Sequence, residues 1–342
     1  MIWLRAETKA GERRSALSPA GASELVENGT PVTVERSENR IFTDAEYAAA
    51  GCGLADAGSW TEAPADAWIL GLKELNSDET NFALTHTHVY FGHAYKGQPG
   101  ADALLGRFTA GGGRLLDLEF LEDEHGRRIA AFGYWAGYAG CLVGAMMAGN
   151  APLPDFRSGF TSANAMVESA TSILAGTTPH ALVIGSRGRC GSGALDAARA
   201  AGLEATGWDI EETRDGGPFE AILDFDVLIN CVLLQPDTPP FLTPELVMRP
   251  RKLHTIVDVS CDPGSPWNPL PIYEHTTTLA DPVVRLVDSP PLSLSAIDHL
   301  PTLLPRESSE VFAAQLLPFL RNRTSATWQR CDTLFQEKSG VV

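Results

Sequence analysis

The chain has 342 residues, which is enough for two domains, and its apolar runs stay well below the about 20 residues that a membrane span needs. Its formal net charge of −17 argues against nucleic acid as a partner, and the first residues contain no signal-peptide core. We therefore expect a soluble, cytoplasmic protein without a membrane or nucleic-acid partner. The six cysteines lack CxxC spacing, which indicates neither a zinc site nor a secreted disulfide framework.

Predicted strands and helices alternate through the first 132 residues. The predicted strands are residues 2–5, 31–36 and 67–75, and the predicted helices are residues 18–26, 43–52 and 102–112. Residues 114–132 are predicted to form two strands around a turn at His125-Gly126, with Glu119 on the first strand. This alternation is typical of an α/β domain.

The rest of the chain begins with an apolar, glycine-rich segment at residues 133–148, which is predicted to be a buried helix. Predicted strands follow at 226–234, 254–261 and 282–289, and the first two are continuous apolar runs typical of parallel sheets. Residues 244–252 are a predicted short crossover. The predicted C-terminal helices are residues 295–320 and 326–338.

The segment from His180 to Asp209 has the order strand, glycine turn, helix, strand and acid. This is the layout of a dinucleotide-binding βαβ unit, in which the backbone approaches a pyrophosphate at the helix N-terminus. The glycines of the turn are Gly185, Gly188, Gly191 and Gly193. Arg187 stands where a second glycine is usual, so a glycine-rich turn without a ligand is the alternative. Asp209 would repel a 2′-phosphate, which favours NAD over NADP.

Lysine is rare in this chain, with five lysines against 21 arginines. Unlike arginine, lysine can lose its proton at moderate pH, so Lys9, Lys73 and Lys96 are candidates for acid–base chemistry. The alternative is that they are ordinary surface charges. Three nearby histidines with H-x-H-x4-H spacing could be metal ligands, but no spaced carboxylate or cysteine completes a known site, and we predict no metal.

Long motifs along nearly the whole chain resemble a known family. They are LRAETK, ILGLKEL, YFGHAYKGQ, LLDLEFLED, VIG-x-x-GRCGSGA, VDVS and IDHLPTLLPRESSE. In these motifs the chain is similar to the NAD-dependent, lysine-forming saccharopine dehydrogenases, which share a two-domain fold with alanine dehydrogenases. The resemblance implies an α/β fold of two Rossmann-like domains, with the active site in the inter-domain cleft. We predict a discontinuous substrate domain of residues 1–131 and 299–342, and an NAD-binding domain of residues 132–298.

The same resemblance implies a reaction and its residues. The reaction is the oxidative cleavage of saccharopine with NAD and water to lysine, 2-oxoglutarate and NADH, with Lys73 and His93 as the acid–base pair. The implied substrate-binding residues are Arg14, Lys96 and Arg128, which would hold carboxylates, together with Glu12, Glu74, Glu119 and Asp298. The implied cofactor contacts are Gly185, Gly188, Arg189, Cys190, Gly191, Asp209, Thr213, Cys231 and Asp298.

Several alternatives stay open from the sequence. A related dehydrogenase could act on another opine-like secondary amine or on an amino acid by the same chemistry, and a catalytically silent NAD-binding protein is a third reading. Burial or neighbouring cations would lower the pKa of Lys73, whereas Glu74 and Glu119 would raise it. Cys190 and Cys231 are expected to lie close together, as free thiols or as a disulfide. The sequence leaves the exact amine, the direction of the reaction and the oligomeric state open.

Overall fold

The computed structural model describes residues 1–75, 82–149 and 151–340. The chain forms two compact units. The first unit contains residues 1–131 and the C-terminal segment from residue 308, and the second unit contains residues 132–307.

Strands and helices alternate in both units. The strands are β1 (Ile2–Leu4), β2 (Val32–Glu35), β3 (Gly53–Ala55), β4 (Trp68–Leu70), β5 (Thr87–Tyr90), β6 (Arg114–Asp117), β7 (His180–Ile184), β8 (Glu204–Trp208), β9 (Val227–Asn230), β10 (Thr255–Asp258), β11 (Val284–Val287) and β12 (Leu292–Ser295). The helices are α1 (Pro19–Glu27), α2 (Asp44–Ala49), α3 (Ala101–Gly111), α4 (Gly133–Ala148), α5 (Ala163–Leu174), α6 (Arg189–Ala201), α7 (Ile210–Thr213), α8 (Pro244–Val247), α9 (Pro305–Arg321) and α10 (Ala326–Ser339).

The described residues of the first unit build a parallel sheet of six strands in the order β3-β2-β1-β4-β5-β6. Its helices begin where the sequence supplies caps. Ser18 accepts a hydrogen bond from the N–H of Gly21 at the start of α1, and Thr43 and Glu46 form a capping box on α2. Phe108 of α3 and Phe335 of α10 belong to its buried core. Because the strands are parallel, the loops that follow β1, β4, β5 and β6 meet at one edge of the sheet.

The second unit contains a sheet in the order β11-β12-β10-β9-β7-β8, in which β11 is the antiparallel edge strand within the described ranges. Buried cores lie on both faces of this sheet, because Val183 and Leu182 of β7 belong to two different clusters of apolar side chains. The predicted α/β architecture of two Rossmann-like units is confirmed. The predicted position of the active site between the units stays a prediction.

Helix α4 has the bounds that the sequence predicts, and its glycines have a packing role. A Cβ atom on Gly137 would lie 1.8 Å from the carbonyl oxygen of Cys190 in α6, and a Cβ atom on Gly193 of α6 would lie 2.0 Å from the carbonyl oxygen of Tyr134 in α4. The two helices therefore cross with their main chains nearly in contact. This crossing fixes where the N-terminus of α6 lies in the second unit.

Several predicted elements differ from the structure. Residues 114–132 form the strand β6, a 3-10 turn at Leu118–Phe120 and an isolated bridge between Glu122 and Arg128, so Glu119 lies on a turn rather than on a strand. The strand ends because the side chain of Asp117 accepts the N–H of Glu119 at 2.9 Å and starts the turn. The predicted elements also omitted β3, α5 and β12.

The second domain boundary also differs from the predicted one. Residues 299–307 belong to the second unit, whereas the sequence analysis assigned them to the first. The N–H of Phe160 donates to the carbonyl of Leu303 at 2.8 Å, and the N–H of Ala163, at the start of α5, donates to the carboxylate of Glu307 at 2.6 Å. These bonds attach the segment to the second unit and make residue 307 its last residue.

Candidate functional site

Lys73 and His93 lie on adjacent loops at the carboxyl edge of the first sheet. Lys73 follows β4 by three residues, and His93 follows β5 by three residues. The main-chain pairing of the two strands continues past their ends, because the N–H of Phe91 donates to the carbonyl of Leu72 at 3.0 Å. Glu74 and His93 line a common cavity of about 500 Å³. The pairing of β4 with β5 thus brings the two predicted proton carriers to one edge of the sheet.

The surroundings of Lys73 favour its neutral form. Burial lowers the pKa of Lys73 below the ordinary lysine value, and the guanidinium of Arg14 lowers it further, while Glu12 opposes both effects. Glu74 is partly neutralised because its carboxylate lies 3.0 Å from the Nζ atom of Lys9. A lowered pKa makes a lysine more able to exchange a proton with a bound substrate.

Glu12 and Arg14 form a buried pair. The Nε and Nη2 atoms of Arg14 donate to the two carboxylate oxygens of Glu12 at 2.8 Å and 2.6 Å. Burial alone would raise the pKa of Glu12, but the charge and hydrogen bonds of Arg14 hold this pKa below its ordinary value. The predicted carboxylate-binding arginine is therefore held in a fixed orientation by one of the predicted acids.

Three cationic or ionisable side chains lie close to the carboxylate of Glu119. Its carboxylate oxygens lie 2.8 Å from Lys96 Nζ, 3.5 Å from Arg128 Nη2 and 3.7 Å from His93 Nδ1. Burial would raise the pKa of Glu119, but the hydrogen bond from Lys96 and the charges of Lys96, Arg128 and His93 together outweigh it, and the pKa is lowered. The structure thus brings together Lys96, Arg128, Glu119 and His93.

Asp117 is a residue of this site that the sequence analysis missed. It ends β6 with its carboxyl buried, and burial raises its pKa to about 6. It lies beneath the turn that carries His93, because a Cβ atom on Gly92 would lie 3.3 Å from Asp117 Oδ2. His93 itself has φ of 49°, which is unusual for a residue other than glycine. The sequence feature that could have identified Asp117 is its position as the first polar residue after an apolar run.

The glycine turn of the second unit has the close approach that a pyrophosphate needs. Gly185 has φ of 83°, and a Cβ atom on Gly191 would lie 2.1 Å from the carbonyl oxygen of Gly185. Gly188 is the N-cap of α6 and has no side chain that could bind the first N–H groups of the helix. These N–H groups and the helix dipole suit an anionic group of a ligand.

A cavity of about 550 Å³ lies beside this turn. Seven of the predicted cofactor residues line it, namely Gly185, Gly188, Arg189, Cys190, Asp209, Thr213 and Cys231. Its apolar lining includes Ile210 and Leu233, two exposed side chains that the sequence analysis did not select. Gly191 lies under the turn, against Gly185, and not on the cavity wall.

Asp298 does not line this cavity. It is exposed, and its charge acts on Cys261, whose pKa is raised first by burial and then by Asp258 and Asp298. Asp298 follows β12, which is parallel to β10 and therefore ends at the same edge of the sheet as β7, β8 and β9, whose loops build the cavity. The predicted contact of Asp298 with the cofactor stays a prediction.

The carboxylate of Asp209 is bound to the glycine turn itself. Its Oδ2 atom accepts the N–H of Arg187 at 2.8 Å, and its Oδ1 atom accepts the N–H of Ile210 at 2.9 Å. The side chain of Arg187 points away and pairs with Glu211 at 3.3 Å. An arginine is tolerated at the position of the usual second glycine because its main chain is fixed by Asp209 while its side chain is exposed.

Comparison with known proteins gives a family. The chain is 44% identical to the NAD(+)-dependent, L-lysine-forming saccharopine dehydrogenase of Neurospora crassa over 364 aligned positions, which cover 100% of this chain and 97% of the relative. It is 46% identical to the enzyme of the same name from Schizosaccharomyces pombe, over 93% of this chain and 92% of that one. The chain belongs to this saccharopine dehydrogenase family.

The wider relationships agree with the fold of the family. Residues 3–139 match the family model described as the N-terminal domain of alanine dehydrogenase/PNT. Among solved structures, an L-alanine dehydrogenase aligns with a TM-score of 0.71 at 17% identity and covers 99% of this chain and 94% of its own. A transhydrogenase from Sinorhizobium meliloti aligns with a TM-score of 0.65 at 20% identity, covering 94% of each chain. These two likenesses establish a shared fold.

Cys190 and Cys231 are close neighbours with free thiols. Burial raises the pKa of Cys231 well above the ordinary thiol value, and a hydrogen bond with Cys190 raises it further. They are neighbours because β7 and β9 are paired, with Ile184 opposite Asn230.

The three histidines of the H-x-H-x4-H motif do not form one cluster. His86 Nε2 lies 2.9 Å from the carbonyl of Ala63, and His88 is fully buried against Trp60 and Phe108. His93 instead lies beside Glu119. Within the described ranges, no group of three or more His, Cys, Asp or Glu side chains is arranged to hold a metal ion. In the same ranges, every helix is too short or too polar to cross a membrane.

Proposed function

We propose that this protein catalyses the NAD-dependent oxidation of saccharopine with water to L-lysine, 2-oxoglutarate and NADH. The observation that carries the proposal is the similarity to six fungal proteins of that name, which are 42–46% identical over 93–100% of this chain. The described site residues supply the proton carriers and the cations that this reaction requires.

The second unit fits NAD. The close main-chain packing at Gly185 and Gly191 leaves room for a pyrophosphate at the N-terminus of α6, and Asp209 offers a carboxylate at the end of β8 for a ribose hydroxyl. Gly188, Arg189, Cys190, Thr213 and Cys231 would line its binding site. When bound, NAD accepts the hydride that leaves the substrate carbon.

Lys73 and His93 would divide the proton transfers. The secondary amine of saccharopine must lose a proton before oxidation, and Lys73 can accept it because burial and Arg14 lower the pKa of this lysine. The side chain of His93 is 49% exposed, so it can exchange protons with solvent while it activates the water that attacks the imine. The acid form of one of the two then protonates the departing lysine nitrogen.

The cations of the first unit would bind the carboxylates of the substrate. Saccharopine has three carboxylates, and Arg14, Lys96 and Arg128 supply matching positive charge. In the structure Lys96 and Arg128 face Glu119, and Arg14 faces Glu12. These acids fix the positions of the cations, and a bound carboxylate would interact with their positive charge.

An assay of NADH formation tests the proposal. Saccharopine should support turnover, while a panel of other opine-like secondary amines and amino acids should support little. Higher turnover with another compound of the panel would mean that the protein carries out the same chemistry on a different substrate. NAD binding without turnover on any of the compounds would refute the enzymatic proposal. The cytoplasmic location stays a prediction.

A further inference from the structure

Two charged side chains that follow β1 enclose the main chain of Lys73. The carboxylate of Glu7 accepts the N–H of Leu72 at 2.6 Å through Oε1 and the N–H of Lys73 at 2.9 Å through Oε2. From the other side, the Nη2 atom of Arg5 donates to the carbonyl of Lys73. Both main-chain polar groups of Lys73 are therefore bound by side chains that come from the start of the sequence.

The need for this clamp follows from where the sheet ends. The carbonyl of Leu70 is the last group of β4 to pair with the chain after β1, and it accepts the N–H of Arg5 at 3.0 Å. Beyond it, the main chain of Lys73 has left the ladder, and buried peptide groups need other partners. Gly71 makes room for one of them, because a Cβ atom there would lie 2.5 Å from Arg5 Nε.

The clamp is buried and charged. The side chain of Arg5 is 1% exposed and that of Glu7 is 9% exposed, and Arg5 Nη1 lies 3.8 Å from Glu7 Oε2. A buried ion pair is weak support for stability, because removing two charges from water costs about as much as their attraction returns. Such a pair is, however, costly to rearrange, since any movement leaves a buried charge or a main-chain N–H without a partner. The buried pair therefore fixes the position of the main chain at Lys73.

We infer that Glu7 and Arg5 are positioning residues that hold the main chain of Lys73 in the orientation its proton transfer requires, an inference that rests on the proposed function. Neither residue is expected to touch the substrate. Without the clamp, the loop after β4 would relax toward solvent, and the amine of Lys73 would leave its half-buried place near Glu12 and Arg14.

The substitution Glu7→Gln tests this directly. A glutamine has the same shape, but its amide can accept only one of the two N–H groups and directs its own NH2 group at the other. We expect kcat to fall about tenfold or more, which corresponds to about 1.4 kcal/mol. Because burial is the main cause of the lowered pKa of Lys73, the ionisation of this lysine in the pH profile of kcat/KM should move upward. NAD affinity should stay at the wild-type value.

Glu35 offers a matched control in the same unit. It is another buried carboxylate that accepts main-chain N–H groups, those of Ala6, Gly58 and Trp60. Glu35→Gln should lower the melting temperature as Glu7→Gln does, but should leave the pH profile of kcat/KM unchanged. The comparison separates positioning of Lys73 from a general loss of stability.

A double variant asks whether Glu7 acts through Lys73. In a Lys73→Met background, Glu7→Gln should cause no further loss of the residual turnover, because the group that Glu7 holds is already absent. An unchanged pH profile in Glu7→Gln, or a full multiplicative loss in the double variant, would overturn the inference.

The same comparisons can use Glu7→Asp if Glu7→Gln does not yield folded protein. Aspartate keeps the charge, but it is one methylene shorter and can reach only one of the N–H groups, so the upward move of the ionisation is expected again. Failure of the proposed function would be recognised separately, as a wild-type protein that forms no NADH from saccharopine or as full turnover in Lys73→Met alone.

Discussion

The Nζ atom of Lys96 lies 2.8 Å from Glu119 Oε1, so a cation predicted to bind substrate is paired with an acid of the same site. Arg128 lies on the same oxygen at 3.5 Å. We propose that Lys96 and Arg128, held by Glu119, bind a carboxylate of the substrate; the exposed ion pair itself contributes little to stability.

Lys96→Met should therefore act on substrate binding. We expect the KM for saccharopine to rise about tenfold to a hundredfold, because a charge-assisted hydrogen bond to a carboxylate is lost. NAD affinity and the melting temperature should change little. Steady-state kinetics with varied saccharopine and a thermal melt measure these quantities. Lys338→Met, on the C-terminal helix α10, is the matched control and should have wild-type KM. An unchanged KM in Lys96→Met would remove this lysine from the substrate site.

The roles of Lys73 and His93 predict a pattern in three variants. Lys73→Met and His93→Gln should each lower turnover and remove one ionisation from the pH profile of kcat/KM, without abolishing NAD binding. The double variant should lose less than the product of the two single losses, because residues that act as a unit are not additive. If Lys73→Met kept the wild-type turnover and pH profile, the lysine would be structural.

Asp209 should determine the choice between NAD and NADP. Asp209→Asn keeps an oxygen that can accept the N–H of Arg187 but removes the negative charge that would repel a 2′-phosphate. We expect weaker NAD binding and a smaller difference between NAD and NADP, measured as dissociation constants by fluorescence titration. Asp209→Ala also loses the bond to the turn and should bind NAD more weakly still. A wild-type protein that prefers NADP would contradict this assignment.

The raised pKa of Asp117 predicts that the stability of the protein depends on pH. Its pKa is about 6 in the folded protein, against an ordinary value of 3.8, so the folded state binds the proton more tightly than the unfolded state. Stability from this group is therefore present below the unfolded pKa and is lost as the pH rises through about 6, with a loss on the order of 2–3 kcal/mol. Asp117→Asn keeps an acceptor for Glu119 and removes this loss.

The measurement for Asp117 is a pair of unfolding curves at pH 4 and pH 7. The Asp117→Asn protein should gain stability relative to the wild type as the pH is raised between these values. A difference between the two proteins that does not depend on pH would mean that the pKa of Asp117 is not raised in the folded state.

The close crossing of α4 and α6 predicts that a methyl group added between these helices weakens NAD binding. Gly193→Ala would bring a Cβ atom to 2.0 Å from the carbonyl oxygen of Tyr134, so the helices must separate and the N-terminus of α6 must move. We expect a lower melting temperature and weaker NAD binding in the same variant. Gly264→Ala, where nothing lies within 4 Å of the new atom, is the control and should have wild-type values of both. Wild-type NAD affinity in Gly193→Ala would contradict this coupling.

The elements that could be predicted from the sequence are those with strong local signals. Helix α4 was predicted with its observed bounds because it is apolar on all sides, and β7 with the turn after it was predicted from β-branched residues and glycines. Strand β12, with the sequence LSLS, was missed because two prolines precede it and its parallel pairing with β10 is not local. Glu119 was placed on a strand because the bond between Asp117 and the N–H of Glu119 cannot be read from hydrophobic periodicity.

The site shows the same division between local and long-range information. Lys73 and His93 could be placed at one edge of the sheet, because adjacent parallel strands end there. The role of Glu7 could not be predicted, because its two acceptors bind N–H groups 65 and 66 residues away. Asp298 was selected from its motif alone, and its contact with the cofactor stays a prediction.

The most direct test of the account is the stoichiometry of the reaction of the purified protein with saccharopine and NAD. We predict one lysine and one 2-oxoglutarate for each NADH formed, with this turnover strongly reduced in Lys73→Met and NAD binding retained. Formation of NADH without both products, or no NADH from saccharopine while another amine of the panel is oxidised, would contradict the assignment of this reaction to the site.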